Sequence, residues 1–148
     1  MGVATADELV RLGREALGVA DWKRARAVFE QAAAFGESAE VLDGLGEAMQ
    51  FGGEHRQAIE CKERAFVEYE RRGLRAQAAA LARWLAFLHL SVHGNVAAAN
   101  GWMARAESVL EGVQECAAHG WLMLDRAPWT SDASERERLA SAARALAR

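Results

Sequence analysis

The chain reads as all-α, an αα-hairpin superhelix with about eight helices in four hairpins. Three observations point there. Its 148 residues hold a single proline, Pro128, the residue that most often breaks helices. Alanine dominates an apolar share of 51%; it is the best helix former and lets two helix backbones approach closely. Apolar and small residues recur at helical spacing along most of the chain.

Leu9, Leu12, Gly13, Ala16 and Leu17 keep one face of an amphipathic helix, and Thr5 with Glu8 is spaced as a capping box, so the first helix is expected from about Thr5 to Gly18. Asp21 is a good N-cap for a second helix carrying Trp22, Ala25, Phe29, Ala32 and Ala33, which Gly36 ends. The pair is an αα-hairpin. The pattern then returns 33 positions on: Leu12-Gly13 is answered by Leu45-Gly46, Ala25 by Ala58 and Ala32 by Ala65. A two-helix repeat of about 34 residues is the mark of a solenoid, in which each hairpin buries its apolar stripe against its neighbours.

Beyond Gly73 the spacing loosens. Arg75 to His93, between Gly73 and Gly94, reads as one long helix with Leu81, Trp84, Leu85 and Leu88 on its apolar side. The stretch GNVAAANGWMARAESVLEG repeats the second-helix pattern through Ala99, Met103 and Ala106, now 41 residues beyond Ala58 and Ala65. A fourth hairpin follows: Pro128 closes the helix carrying Trp121 and Leu122, and Asp132 with Glu135 opens the last one.

A net charge of −3 with interspersed signs argues against direct nucleic-acid binding. No apolar run approaches the roughly 18 residues of a membrane span, and the acidic MGVATADEL start is unlike a signal peptide. The expected setting is cytoplasmic, with Cys61 and Cys116 as reduced, buried thiols rather than a disulfide or zinc site. His89 and His93 are spaced i, i+4 but lack the Glu of HExxH and a third ligand, so no metal is expected. His55 is placed in a turn and His119 near a helix start, where capping or solvent exposure is the ordinary outcome. Gly52-Gly53 reads as a turn rather than a phosphate loop, and Glu68 and Glu70 as a solvated face. With no catalytic motif and no cofactor signature, the expectation is a non-enzyme.

At the repeat residues the chain resembles the tetratricopeptide-repeat family, whose motif has Leu-Gly in the first helix and an aromatic, Ala, aromatic, Ala series in the second. The first unit matches with Leu12, Gly13, Trp22, Ala25, Phe29 and Ala32; the second keeps Leu45, Gly46, Ala58 and Ala65. Lys62 stands where the second-helix aromatic is expected, no unit has the closing Pro, and Ala86-Phe87 replaces Leu-Gly in the third. The resemblance implies one degenerate repeat domain with units at about 5–36, 38–73, 74–111 and 115–148. It also implies a concave groove, whose positions fall here at Val10, Arg14 and Leu17, then Asp43, Glu47 and Gln50, then Trp84 and Leu88. A peptide with a basic residue near an apolar anchor would suit it, Trp84 receiving the anchor and Asp43 and Glu47 the charge.

The stretches AIECKERAFVEYERRG, ARWLAFLHLSVHGNVAAANGWMARA and HGWLMLDRAPW look like the N-terminal helical-repeat region of LuxR-family transcriptional regulators. That resemblance implies a sensing or protein-interaction module, its partner a peptide, a protein, or the DNA-binding domain of a longer parent chain. The last helix displays Leu139, Ala142, Ala143 and Leu146, an apolar stripe that calls either for more chain or for a second copy, a homo-oligomer through this helix. The rival reading is a standalone small-molecule sequestering domain with an apolar pocket around Trp84, Phe87 and Trp121. Trp102, Trp121 and Trp129 are expected to fill space between helices, with Trp129 otherwise a loop-borne contact.

Overall fold

The computed structural model describes residues 4–126 and 131–146. They form eight helices: α1 (Ala6–Gly18), α2 (Trp22–Ala33), α3 (Ala39–Phe51), α4 (His55–Arg71), α5 (Arg75–Ser91), α6 (Val96–Leu110), α7 (Ala117–Arg126) and α8 (Ala133–Leu146). No strand occurs among the described residues. Pro128 and Trp129 lie outside them. The chain divides into two compact units, Met1–Gly73 and Leu74–Arg148, and the boundary falls between the second and third hairpins. Each unit is a pair of hairpins, α1–α2 with α3–α4 and α5–α6 with α7–α8.

Local chemistry sets the helix starts. Thr5 and Glu8 form the expected capping box: Glu8 N–H donates to Thr5 Oγ1 at 3.2 Å, and Thr5 N–H donates to Glu8 Oε2 at 2.8 Å. Asp21, Ser38 and Asn95 each accept one first-turn N–H, and Asp132 Oδ1 takes those of Ser134 and Glu135. The α1–α2 and α3–α4 turns share one geometry. Asp21 N–H reaches Ala16 O while Ala20 N–H reaches Leu17 O, and Glu54 and Gly53 repeat both bonds to Met49 and Gln50. This closure needs a left-handed residue. Gly53 takes it at φ 85° without steric cost, whereas Ala20 takes it at φ 58°. Helix α5 stops at Ser91 rather than at His93: Gly94 turns to φ 59°, its N–H bonds Leu90 O, and Asn95 N–H bonds His89 O.

Packing in the first unit centres on Phe29, which is fully buried. Its ring lies where a Cβ on Gly13 would come within 2.6 Å and one on Gly44 within 2.2 Å. The two glycines thus open a slot in α1 and α3, and α2 drives its aromatic into both. Ala25, Ala32, Ala58 and Ala65 are all at 0% exposure, as expected for residues at close helix approaches. In the second unit Ala78, Ala82, Ala99 and Ala106 do the same beneath Leu81, Leu85 and Leu88. The α8 stripe packs on α7: Ala143 is buried, and Gly120 faces Ala143 O and Leu146 Cβ, both 3.3 Å from the Cβ it lacks. Of the stripe that called for more chain or a second copy, Ala143 is buried against α7, Leu139 and Leu146 are half-buried, and Ala142 is exposed.

Candidate functional site

In the first unit, α1, the α2–α3 turn, α3 and the end of α4 enclose an open concavity of about 1030 Å³. Two of the expected groove residues, Val10 and Arg14, line it together with Phe35 and Val41. Most of the surrounding charge is internally matched. Arg11 pairs with Glu15, and Arg72 Nη1 donates to both oxygens of Glu40 at 2.9 and 3.0 Å. Burial opposes ionisation of Glu40, but hydrogen bonds from its own backbone N–H and from Arg72, with the field of Arg72 and Arg14, hold its carboxyl below the usual range. Glu37 pairs with Arg64. Arg14 is exposed and has no ion pair among the described residues, so it is the cation that this face presents.

The other expected groove residues of the first unit do not line this concavity. Leu17 is half-buried against the core that contains Phe29. Gln50 Oε1 is buried with no hydrogen-bond partner among the described residues. Glu47 is half-exposed. Asp43 is engaged inside the fold: its Oδ1 accepts from the Lys62 ammonium. Lys62 is only 3% exposed, and its stem fills the slot of Gly46, whose missing Cβ would lie 2.7 Å from Lys62 Cγ. Where the first hairpin sets an aromatic against its glycine, the second sets a lysine stem there and carries the charge out to Asp43. An ionic role for Asp43 toward a ligand would compete with this buried pair.

In the second unit Leu88 is 1% exposed and belongs to the core, so it faces no ligand. Trp84 is half-buried and lines a cavity of about 400 Å³ with Phe87, Leu90 and Met103. Trp121 does not fill space between helices as expected; it is 56% exposed, and the Arg83 guanidinium lies over its ring, 5.5 Å from the centroid. Arg83 Nε also pairs with Asp125, which lines the same cavity. This polar corner had no signature in the sequence, because its partners are 42 positions apart and on different helices. Trp102 is buried as expected, with Arg105 over its ring at 4.4 Å.

The remaining chemistry-bearing residues serve local structure. The His89 and His93 rings are 6.1 Å apart, and no group of three potential metal ligands occurs among the described residues. His55 is the first residue of α4 rather than part of the turn. His119 Nδ1 accepts the Cys116 N–H at 3.2 Å and so caps α7. Cys61 and Cys116 are free and half-exposed, and burial pushes the Cys61 thiol up. No described helix is long and apolar enough to cross a membrane. No protein-family model matches the chain, and no curated protein matches it.

Proposed function

We propose that the chain is a non-catalytic protein-interaction module whose first unit receives a peptide or protein segment in the concavity on α1 and α3. The observation that carries this reading is the 1030 Å³ face lined by the first helix of both hairpins, with apolar Val10, Val41 and Phe35 beside Arg14, a cation with no ion pair among the described residues. Phe35 is 58% exposed, as an apolar anchor awaiting cover would be. Asp7 also lines this face without an ion pair among the described residues, so complementarity selects a partner segment that sets an acidic group against Arg14, away from Asp7, next to an apolar side chain. This replaces the basic peptide expected from the sequence, since the Asp43 carboxylate is already taken by Lys62.

Membership of a LuxR-type regulator, in the cytoplasm, is supported by the sequence resemblance alone, and reading the gene beyond Arg148 for a helix-turn-helix tests it. The binding reading is tested by selecting peptides from a random library on the full chain. Selected peptides should be acidic and should lose about tenfold or more in affinity to Arg14→Glu and Val10→Asp variants. Peptides that bind both variants unchanged would place the interaction surface elsewhere.

A further inference from the structure

We infer that the cavity of the second unit is a binding site for a small organic acid, an aromatic or branched apolar body bearing one carboxylate. Its described lining comes from α5, α6 and α7, and the site does not depend on the partner-binding reading of the first unit. Its volume of about 400 Å³ falls in the range of ligand pockets, about 300–1,000 Å³. Trp84, Phe87, Leu90 and Met103 make its walls apolar, and Phe87, 60% exposed, stands at the rim where a ligand would cover it.

Among the described residues two charged side chains line this cavity, Arg83 and Asp125. The guanidinium is held in place before any ligand arrives, by Asp125 at its Nε and by the Trp121 ring beneath it. Arg83 is 21% exposed, yet of the donors an arginine carries only Nε–H has an acceptor among the described residues. The Nη donors are therefore left as a planar pair matching the two oxygens of a carboxylate. Arg83 and Asp125 cancel in charge, so the donors decide the sign of the ligand: the Nη hydrogens of Arg83 face the cavity without an acceptor among the described residues, whereas a cation would have to share Asp125 with Nε. The wider field agrees, because the second unit holds eight arginines against seven carboxylates in a chain whose net charge is −3.

Calorimetric titration of the full chain with naphthoate, naphthylmethylamine and naphthalenemethanol separates recognition of the carboxylate from affinity for an apolar ring. Naphthoate should bind about tenfold or more tighter than either analogue. Arg83→Met should erase that preference. Ala80→Phe, which fills the cavity from an exposed position and deletes no contact, should abolish binding of all three probes while leaving the thermal melt unchanged. Failure of naphthoate to bind, equal affinity for acid and amine, or naphthoate binding that survives Ala80→Phe would each overturn the assignment.

Discussion

Replacing Asp43 by Ala would remove the carboxylate that accepts from the Lys62 ammonium, at a position only 3% exposed. Breaking a buried pair from one side costs about 3–5 kcal/mol, because the surviving charge is left desolvated. The low end applies here, about 3 kcal/mol, since the Asp43 side chain is 33% exposed and water can enter where it stood. The converse change should behave differently. Lys62→Met keeps methylenes against Gly46, removes the buried charge, and leaves a carboxylate that already reaches solvent, so stability should move by less than about 1 kcal/mol in either direction. Urea unfolding followed by circular dichroism measures both variants, and amide exchange in α3 and α4 locates the loss. If Lys62→Met proves as damaging as Asp43→Ala, the mutual attraction of the pair outweighs the cost of keeping the lysine charge out of water and the reasoning fails.

Four further outcomes follow from the packing and the titrating groups. Gly44→Ala would push a methyl to 2.2 Å from the buried Phe29 ring and should cost about 1–3 kcal/mol, partly recovered by adding Phe29→Leu, as read from thermal melts. Gly101→Ala, a helical glycine with nothing within 4 Å of the added carbon, should instead stabilise by up to about 1 kcal/mol. Ala20→Gly relieves a left-handed backbone at φ 58° and should raise stability by about 0.5–1 kcal/mol; a loss would mean that the turn is unstrained. Burial, reinforced by the carboxylates of Asp43 and Glu40, pushes the Tyr69 hydroxyl up to about 12. Its raised value makes the folded state hold its proton more tightly than the unfolded chain, so this contribution is intact below pH about 10 and is lost as pH climbs toward the folded value. Tyr69 is the only tyrosine, so tyrosinate absorbance reads it directly; titration near 10 in the folded chain would contradict the burial.

The hairpins were legible because they are encoded locally. Thr5 and Glu8 are three residues apart, Asp21 and Asp132 sit just before their helices, and Gly36, Gly53, Gly73 and Gly94 all adopt positive φ between helices. Periodicity also marked Ala25, Phe29, Ala32, Ala58 and Ala65 as interior, and all are buried. Leu88 is buried as its place on the apolar side of α5 requires, against the groove position that the resemblance implied for it, and exposure of Trp121 went against the expectation that it fills space between helices. Hydrophobicity alone does not say which side of a largely apolar helix such as α5 meets a neighbour.

What the amino-acid order determined, then, is the all-helical class, the hairpins and most of the alanine contacts, since these follow from capping, turns and a 3.6-residue period acting over a few neighbours. Tertiary structure alone decided that Lys62 finds Asp43 across a glycine slot, that Arg83 meets Asp125 over Trp121, and that Val10 and Arg14 come to share a concavity with the α2–α3 turn. Each of these joins side chains from different helices, and which helix faces overlap depends on how small residues such as Gly13, Gly44 and Gly46 let the backbones close, a distance written in no single segment.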